Sequence, residues 1–318
     1  MLVTQNNVKF FSVMKRGRIL INTVLGQVNE SEINSVLCHE HICCYSEYLK
    51  LMSGNKTVDE KEVVKAAVGQ LKELKEKYGM NLFVDCTPVN IGRNIGLLKT
   101  VSEKSGVHIV CSTGFYYGEE PILLRTCEET LTEYYLNDIK ECNSGIIKAA
   151  VEHENLTPLN EKLLWVCAKT HLKTGLPIVL HTNAKNQNGL KALEKLLSLG
   201  VKPCEVTVGH LSDTEDADYI KQIASYGCYV GLDRLHPDTT EEYINTKLKT
   251  INGLIDAGFL EKILLSHDAL IYSEFDALPK ISYASTYNYV FDSILSRLDK
   301  DVSDTIIKKN PVRMLGCK

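Results

Sequence analysis

Short apolar segments recur along the chain at spacings that indicate a repeated unit. Eight of them, rich in Val, Ile, Leu and Cys, cover residues 35–41, 81–87, 107–113, 145–151, 177–182, 205–210, 228–233 and 263–268. Their apolar residues are nearly continuous rather than alternating, which is typical of strands buried on both faces. The pattern therefore predicts parallel strands covered by helices.

Segments with helical periodicity lie between these runs. The strongest, residues 59–79, places Val64, Leu71 and other apolar residues at spacings of three and four, with Gly79 at the expected C-cap. Weaker periodic segments cover 159–174, 189–199, 214–226, 240–257 and 283–298. A strand followed by a helix, repeated eight times, predicts a (β/α)₈ TIM barrel. An open doubly wound sheet is the alternative, but no Gly-rich phosphate loop follows the first strand.

Composition narrows the function classes. The chain is 44% hydrophobic and 24% charged with a net charge of -4, and no linker or low-complexity tract interrupts it, so residues 1–318 are predicted to form one barrel domain. The sequence has no basic stretch of the kind that neutralises nucleic-acid phosphates, and no apolar stretch long enough for a membrane-spanning helix. Neither nucleic acid nor a membrane is therefore an expected partner. The 11 cysteines, several of them inside apolar runs, and the lack of an export signal favour a cytoplasmic protein with reduced thiols.

Histidines and an aspartate stand at the predicted strand ends. His39 and His41 close the first strand, and because side chains alternate along a strand, both point to one side while Glu40 points to the other. His181, His210 and Asp268 end the fifth, sixth and eighth strands. The carboxyl ends of barrel strands form the active-site face, so these side chains are predicted to meet there as metal ligands.

Lys148 lies inside the apolar run of the fourth strand, where an unpartnered amine is costly to bury. One interpretation is a packed lysine whose head reaches solvent at the strand end. The other is an amine of lowered pKa that reacts with carbon dioxide. The resulting carbamate is a carboxylate-like group that can bridge two metal ions.

The ordered set His39-x-His41, Lys148, His181, His210 and Asp268 resembles the metal site of the phosphotriesterase-like branch of the amidohydrolase superfamily. The similarity extends to STGFYY at 112–117, SGIIKAA at 144–150, TGLPIVLHTNA at 174–184, VGHLSD at 208–213, GLDR at 231–234, LSHD at 265–268 and NPVRMLG at 310–316. It therefore spans almost the whole chain. The resemblance implies an amidohydrolase-type barrel and a homodimer.

The resemblance also implies a binuclear centre of two divalent ions, Zn²⁺ being expected although Mn²⁺, Co²⁺ and Fe²⁺ suit the same ligands. His39, His41 and Asp268 would hold the more buried ion, and His181 and His210 the more exposed one. Carboxylated Lys148 and a hydroxide would bridge both. Asp268 would then accept the proton of the attacking hydroxide and pass it to the leaving group.

Two further residues bear on the substrate, which is predicted to be a small molecule. Tyr116 and Arg234 match positions where lactone-hydrolysing members of the family carry a tyrosine and an arginine. Tyr116 is otherwise a packed rim aromatic, and Arg234 a surface ion-pair partner of Asp238 or Glu241. The predicted activity is hydrolysis of lactones or related carboxylic esters, with phosphotriester or N-acyl amino acid hydrolysis, or a non-catalytic metal-binding barrel, as alternatives.

Two polar residues near these ligands are given supporting roles. Asp85, within the second predicted strand, is a candidate for orienting a ligand histidine. His267 neighbours Asp268 and should point to the opposite side of its strand, so packing or a supporting contact is expected there.

Overall fold

The computed structural model describes residues 19–53, 59–118, 120–235, 240–274, 280–282 and 287–316. Each of the eight predicted strands is present. In chain order, and named first to eighth below, they are Ser35–Cys44, Met80–Asp85, His108–Gly114, Ile146–Ala150, Ile178–His181, Val206–Val208, Tyr229–Leu232 and Ile263–Leu265. Each strand pairs in parallel with the next along the chain.

The eighth strand returns to the first through a seam of hydrogen bonds. The Asp268 N–H donates to the His39 carbonyl (3.1 Å) and the His41 N–H donates to the Ala269 carbonyl (2.9 Å). Beyond the seam, a ninth strand, Leu270–Ser273, pairs in parallel with the first strand and antiparallel with the short strand Lys280–Ile281. The fold is the predicted TIM barrel.

Helices cover the outside of the barrel. They are Glu47–Met52, Glu60–Tyr78, Ile95–Ser105, Pro121–Arg125, Glu128–Cys142, Pro158–Thr174, Asn188–Ser198, Ala217–Ser225, Glu241–Asp256, Lys300–Asp304 and Asn310–Gly316. The helix predicted at 59–79 is confirmed: the Asp59 side chain caps its first turn, and Gly79 ends it with a φ of 67°. Among the described residues, no helix is long and apolar enough to cross a membrane.

The helix predicted at 283–298 is only partly correct. Residues 283–286 lie outside the described part of the chain, and the remainder forms the π-helical segment Val290–Ile294 followed by the 3₁₀ turn Leu295–Arg297. The Val290 N–H donates to His267 Nε2 (3.1 Å), in the loop after the eighth strand. The spacing of apolar residues cannot predict a hydrogen bond between residues this far apart in sequence.

An N-terminal hairpin, Leu20–Thr23 and Gly26–Asn29, was not predicted. Its Val24 N–H donates to the Ile109 carbonyl (2.8 Å) near the start of the third strand, which places the hairpin at the amino-terminal end of the barrel. Apolar side chains from the hairpin, the barrel interior and the last helix form one buried cluster that includes Ile21, Val36, Val110 and Leu315. The hairpin therefore lies at the end of the barrel opposite the carboxyl ends of the strands.

That residues 1–318 form one domain stays a prediction.

The third and fourth strands approach closely at Gly114. Its φ is 112°, a backbone conformation that residues other than glycine rarely adopt, and an added Cβ would collide with the backbone carbonyl of Lys148. Gly69, within the helix Glu60–Tyr78, has open space around the position of its missing Cβ.

Gly114→Ala should therefore lower the free energy of unfolding by about 1–3 kcal/mol, the usual cost of overpacking. The matched control, Gly69→Ala, should raise it by about 0.5–1 kcal/mol because alanine favours a helix interior. Urea denaturation of the three proteins measures both changes. Equal stability of Gly114→Ala and the unsubstituted protein would refute the close approach.

Candidate metal centre

The barrel brings the six predicted ligands to its carboxyl end. His39 and His41 lie on the first strand, Lys148 on the fourth and His181 at the end of the fifth. The sixth and eighth strands end earlier than predicted, so His210 and Asp268 lie in the following turns, with left-handed φ values of 63° and 51°. All except Asp268 are buried, and the side chain of Asp268 is 14% exposed.

Three of these residues converge closely enough to share one ion. His41 Nε2 lies 2.9 Å and His39 Nε2 3.5 Å from Asp268 Oδ1. These ligand atoms lie within 4.8 Å of one another, a spacing that can hold a metal ion. Lys148 Nζ lies 2.7 Å from His39 Nε2, so the lysine head enters this cluster and does not reach for solvent.

A second pair of imidazoles lies beside the first cluster. His210 Nε2 and His181 Nδ1 are 2.7 Å apart. His210 Nδ1 also lies 3.8 Å from Asp268 Oδ2, so the two groups adjoin through Asp268.

Asp233 holds two of the histidines from behind, a contact that the sequence analysis missed. Its Oδ2 lies 2.6 Å from His39 Nδ1, and its Oδ1 accepts from the His210 N–H (2.6 Å) and lies 3.0 Å from His210 Nδ1. These bonds occupy both carboxylate oxygens, so Asp233 orients the imidazoles and leaves each Nε2 facing inward. Its place at the end of the seventh strand was the available signal.

Two glycines make room for this carboxylate. A Cβ on Gly209 would lie 2.9 Å from Asp233 Oδ2, and one on Gly231 would lie 2.7 Å from the same atom. Larger residues at either position would displace Asp233. The sixth and seventh strands are thus fitted to the orienting group as well as to the ligands.

His41 and His181 have their own partners. Thr87 Oγ1 lies 2.9 Å from His41 Nδ1. Asp85, predicted as a candidate to orient a histidine, instead accepts from the N–H groups of Ile42 and Thr87, so it supports His41 through the neighbouring backbone and through Thr87 rather than by contact with the imidazole. Glu152 Oε2 lies 3.0 Å from His181 Nε2, a partner that the sequence analysis did not identify.

Electrostatics favour neutral imidazoles at His39 and His181 and an ionised carboxylate at Asp268. Burial and the neighbouring Lys148 lower the pKa of His39 to about 4, and burial with His210 lowers the pKa of His181 well below its usual value. Burial alone would raise the pKa of Asp268, but the imidazoles of His210 and His41 outweigh it and hold this pKa well below its usual range. His39, His181 and Asp268 are thus in the protonation states that bind metals, whereas at His41 burial is outweighed by Cys44 and Asp268, which raise the pKa of this imidazole to about 10.

The buried carboxylate of Glu40 accepts hydrogen bonds from the backbone on both sides of Asp268. Glu40 Oε1 accepts from the His267 N–H (2.9 Å) and lies 2.8 Å from His267 Nδ1, and Oε2 accepts from the Ala269 N–H (3.0 Å). These groups flank Asp268 and hold its left-handed conformation, which is costly for a residue other than glycine. His267 is confirmed as a supporting residue that points away from the ligands.

Tyr116 and Arg234 both border the cavity above the ligands. The cavity has a volume of about 120 Å³. It is lined by His41, Cys44, Pro88, Ile91, Tyr116, Lys148, His181, Arg234, Asp268 and Leu270. The Tyr116 ring lies edge-on to His181, with centroids 5.0 Å apart.

Arg234 is anchored by two carboxylates. It donates from Nε to Asp268 Oδ2 (2.7 Å) and from Nη1 to Asp213 Oδ2 (2.8 Å). Of the two partners suggested by the sequence, Glu241 pairs with Arg297 instead, and Asp238 lies outside the described residues. Arg234 therefore faces the site and is not a surface partner of Glu241.

The chemistry of the donor set fits divalent cations. Every imidazole has one ring nitrogen held by an outer partner and the other turned toward its neighbours in the centre, as ligand histidines do. The inward nitrogens of His181 and His210 face each other at 2.7 Å, an arrangement that a shared cation stabilises. Nitrogen and carboxylate oxygen ligands suit Zn²⁺ and similar ions.

Comparison with known proteins agrees with this geometry. The sequence profile of the Phosphotriesterase family matches residues 19–315. The chain belongs to the phosphotriesterase family. Similar proteins include an aryldialkylphosphatase from Saccharolobus solfataricus (30% identical, covering 91% of this chain and 97% of the relative) and a phospho-furanose lactonase from Mycoplasmopsis synoviae (28%, 92% and 91%). An N-acetyltaurine hydrolase from Bos taurus is 24% identical, covering 94% and 98%.

Asp233→Asn should weaken Zn²⁺ binding by the metal-free protein about 10- to 100-fold, because an amide offers one acceptor oxygen where His39 and His210 use two. Calorimetric titration measures the affinity. Asp213→Asn is the matched control, since the side chain of Asp213 contacts Arg234 and none of the four histidines of the centre. Unchanged affinity in Asp233→Asn, or an equal loss in both variants, would contradict the orienting role.

Proposed function

We propose that this protein is a binuclear metal-dependent hydrolase that opens lactones or cleaves related carboxylic esters. One observation carries the proposal: four imidazoles, Lys148 and Asp268 face one another beneath a cavity that Tyr116 and Arg234 border. Membership in a family whose relatives carry hydrolase names supports it.

Each proposed ligand has an assigned place. His39, His41 and Asp268 would hold one ion, His181 and His210 the second, and Lys148 as a carbamate would contact both. Bound there, the ions would supply an acidified water and polarise the carbonyl oxygen of the substrate. Zn²⁺ is the proposed metal.

Asp268 has the geometry of the proton carrier. Its Oδ1 faces the histidines of the first strand, and its Oδ2 accepts from Arg234. A carboxylate in this position can take the proton of the attacking water and return it to the leaving alkoxide. Because Glu40 fixes the backbone on both sides, the carboxylate stays aimed at the centre.

Arg234 and Tyr116 have the geometry of substrate contacts. The guanidinium of Arg234 lies at the cavity wall, fixed by Asp213, where it can donate to an oxygen of a bound lactone. Tyr116 supplies an aromatic wall beside His181. A ring of modest size with polar oxygens matches these two surfaces, and the lactonase among the relatives supports this substrate class.

The substrate class can be tested with one panel. Protein loaded with Zn²⁺ should hydrolyse γ- and δ-lactones and aryl carboxylic esters faster than phosphotriesters or N-acyl amino acids, and chelation should abolish the activity. A preference for phosphotriesters or N-acyl amino acids would replace the substrate proposal by that alternative. Bound metal without turnover of any panel member would make the protein a metal-binding barrel. A homodimeric assembly in the cytoplasm is proposed alongside.

Lys148 tests the binuclear arrangement. Protein prepared with excess Zn²⁺ and bicarbonate should bind two ions per chain, and Lys148→Ala should lose activity because the bridge is missing. Short carboxylic acids should restore part of the activity by supplying a carboxylate. Elemental analysis and rescue assays measure these outcomes. One ion or none in the unsubstituted protein, or full activity of Lys148→Ala, would overturn the arrangement.

Asp268 and Arg234 separate the chemical step from substrate choice. Asp268→Asn should reduce kcat for all substrates by about 10²-fold or more, because the proton acceptor is lost. Arg234→Ala should lower kcat/KM for lactones by about 10- to 100-fold, equivalent to about 1–3 kcal/mol, while barely changing a compact aryl ester. Steady-state kinetics of both variants give the comparison. Uniform loss on both substrates in Arg234→Ala would show that Arg234 acts only by supporting Asp268.

A further inference from the structure

Glu152 lies in the loop after the fourth strand and reaches across to the end of the fifth. Its Oε2 lies 3.0 Å from His181 Nε2, and its Oε1 accepts from Asn183 Nδ2 (2.8 Å). The side chain of Glu152 is 32% exposed, whereas that of His181 is 4% exposed. The carboxylate therefore stands between the rim of the barrel and the buried imidazole.

His181 is oriented differently from the other three histidines of the centre. His39, His41 and His210 are held at Nδ1 by Asp233 or Thr87 and turn Nε2 inward. His181 is held at Nε2 by Glu152 and turns Nδ1 inward, toward His210 Nε2. Glu152 thus determines which ring nitrogen of His181 faces the centre, whereas Asp233 and Thr87 determine it for the other three histidines.

The chemistry of the contact fixes one tautomer. A carboxylate only accepts hydrogen bonds, so the 3.0 Å contact with Glu152 requires a proton on His181 Nε2. An imidazole binds a metal ion through the lone pair of the ring nitrogen that carries no proton. With its proton on Nε2, His181 can bind a cation through Nδ1, the nitrogen that faces His210.

We propose that Glu152 is a positioning residue that fixes the Nε2–H tautomer of His181 and so presents Nδ1 to the more exposed of the two metal ions. The metal part of this inference rests on the proposed function. The tautomer part does not, because it follows from the contacts of the protein alone. Its partial exposure also makes Glu152 a position where substitution is compatible with folding.

A purely structural role is the competing explanation. Asn183 donates to the Glu152 carboxylate and Asn186 to the Glu152 carbonyl (3.4 Å), so Glu152 also ties two loops together. Glu152→Gln separates the roles. Its amide oxygen can still accept from His181 Nε2–H, while its second oxygen, and with it part of the tie to Asn183, is lost.

The experiment compares Glu152→Ala, Glu152→Gln and a control, Glu154→Ala. Glu154 is exposed in the same loop, and its side chain makes no hydrogen bond among the described residues. Calorimetric titration of metal-free protein with Zn²⁺ measures the affinity of each ion. Long-range ¹H–¹⁵N correlation spectra of the histidine rings of metal-free protein report which nitrogen of His181 carries the proton.

We expect Glu152→Ala to weaken binding of one of the two ions about 10- to 100-fold, with the other ion and Glu154→Ala unchanged. The Nε2–H signature of His181 should be lost in Glu152→Ala and kept in Glu152→Gln, which should also recover most of the affinity. Full two-ion affinity in Glu152→Ala would overturn the proposal. So would an equal loss in both Glu152 variants with the same His181 tautomer as the unsubstituted protein.

Failure of the proposed function is distinguishable from failure of this inference. Unsubstituted protein that binds no metal would contradict the binuclear hydrolase. The ring spectra would still decide the tautomer, since a metal-free protein with the proton on His181 Nδ1 contradicts the role of Glu152, and one with a Glu152-dependent proton on Nε2 supports it.

Discussion

The site depends first on one buried carboxylate. Asp233, at the end of the seventh strand, bonds to His39 of the first strand and to His210 after the sixth, so a single group orients imidazoles from both sides of the barrel. A buried charge of this kind is stable only when it is fully hydrogen-bonded. The two histidines and one backbone N–H meet that requirement, and Gly209 and Gly231 leave the space it needs.

Much of the fold, and the residues that face one another in the site, could be predicted from the sequence. Strands buried on both faces leave continuous apolar runs, and all eight runs correspond to barrel strands. Residues at the ends of parallel strands meet at one edge, so His39, His181 and Asp268 could be grouped without knowledge of a single distance. His41 could be added to this group because side chains alternate along a strand, which puts His39 and His41 on the same face.

The outer partners could not be predicted, because no local pattern links them to the residues they support. Glu152 lies after the fourth strand and His181 at the end of the fifth, while Thr87 follows the second strand and His41 lies on the first, so each pair forms only when the barrel curls. The turns at His210 and Asp268 escaped for a related reason: their left-handed conformations are imposed by contacts distant in sequence. The helices Ile95–Ser105 and Glu128–Cys142 could not be predicted from apolar periodicity because polar residues, among them Ser102, Ser105 and Thr132, lie on their buried faces.

The hydrogen bonds of Glu40 to the turn around Asp268 link the geometry of the site to closure of the barrel. Glu40 is among the early residues of the chain, and the turn it holds is 228 positions beyond it, so neither end can complete the site alone. During synthesis the centre must remain open until the eighth strand has been made. In the finished protein, local opening of the seam between the first and eighth strands would release Asp268 while the rest of the barrel stays folded.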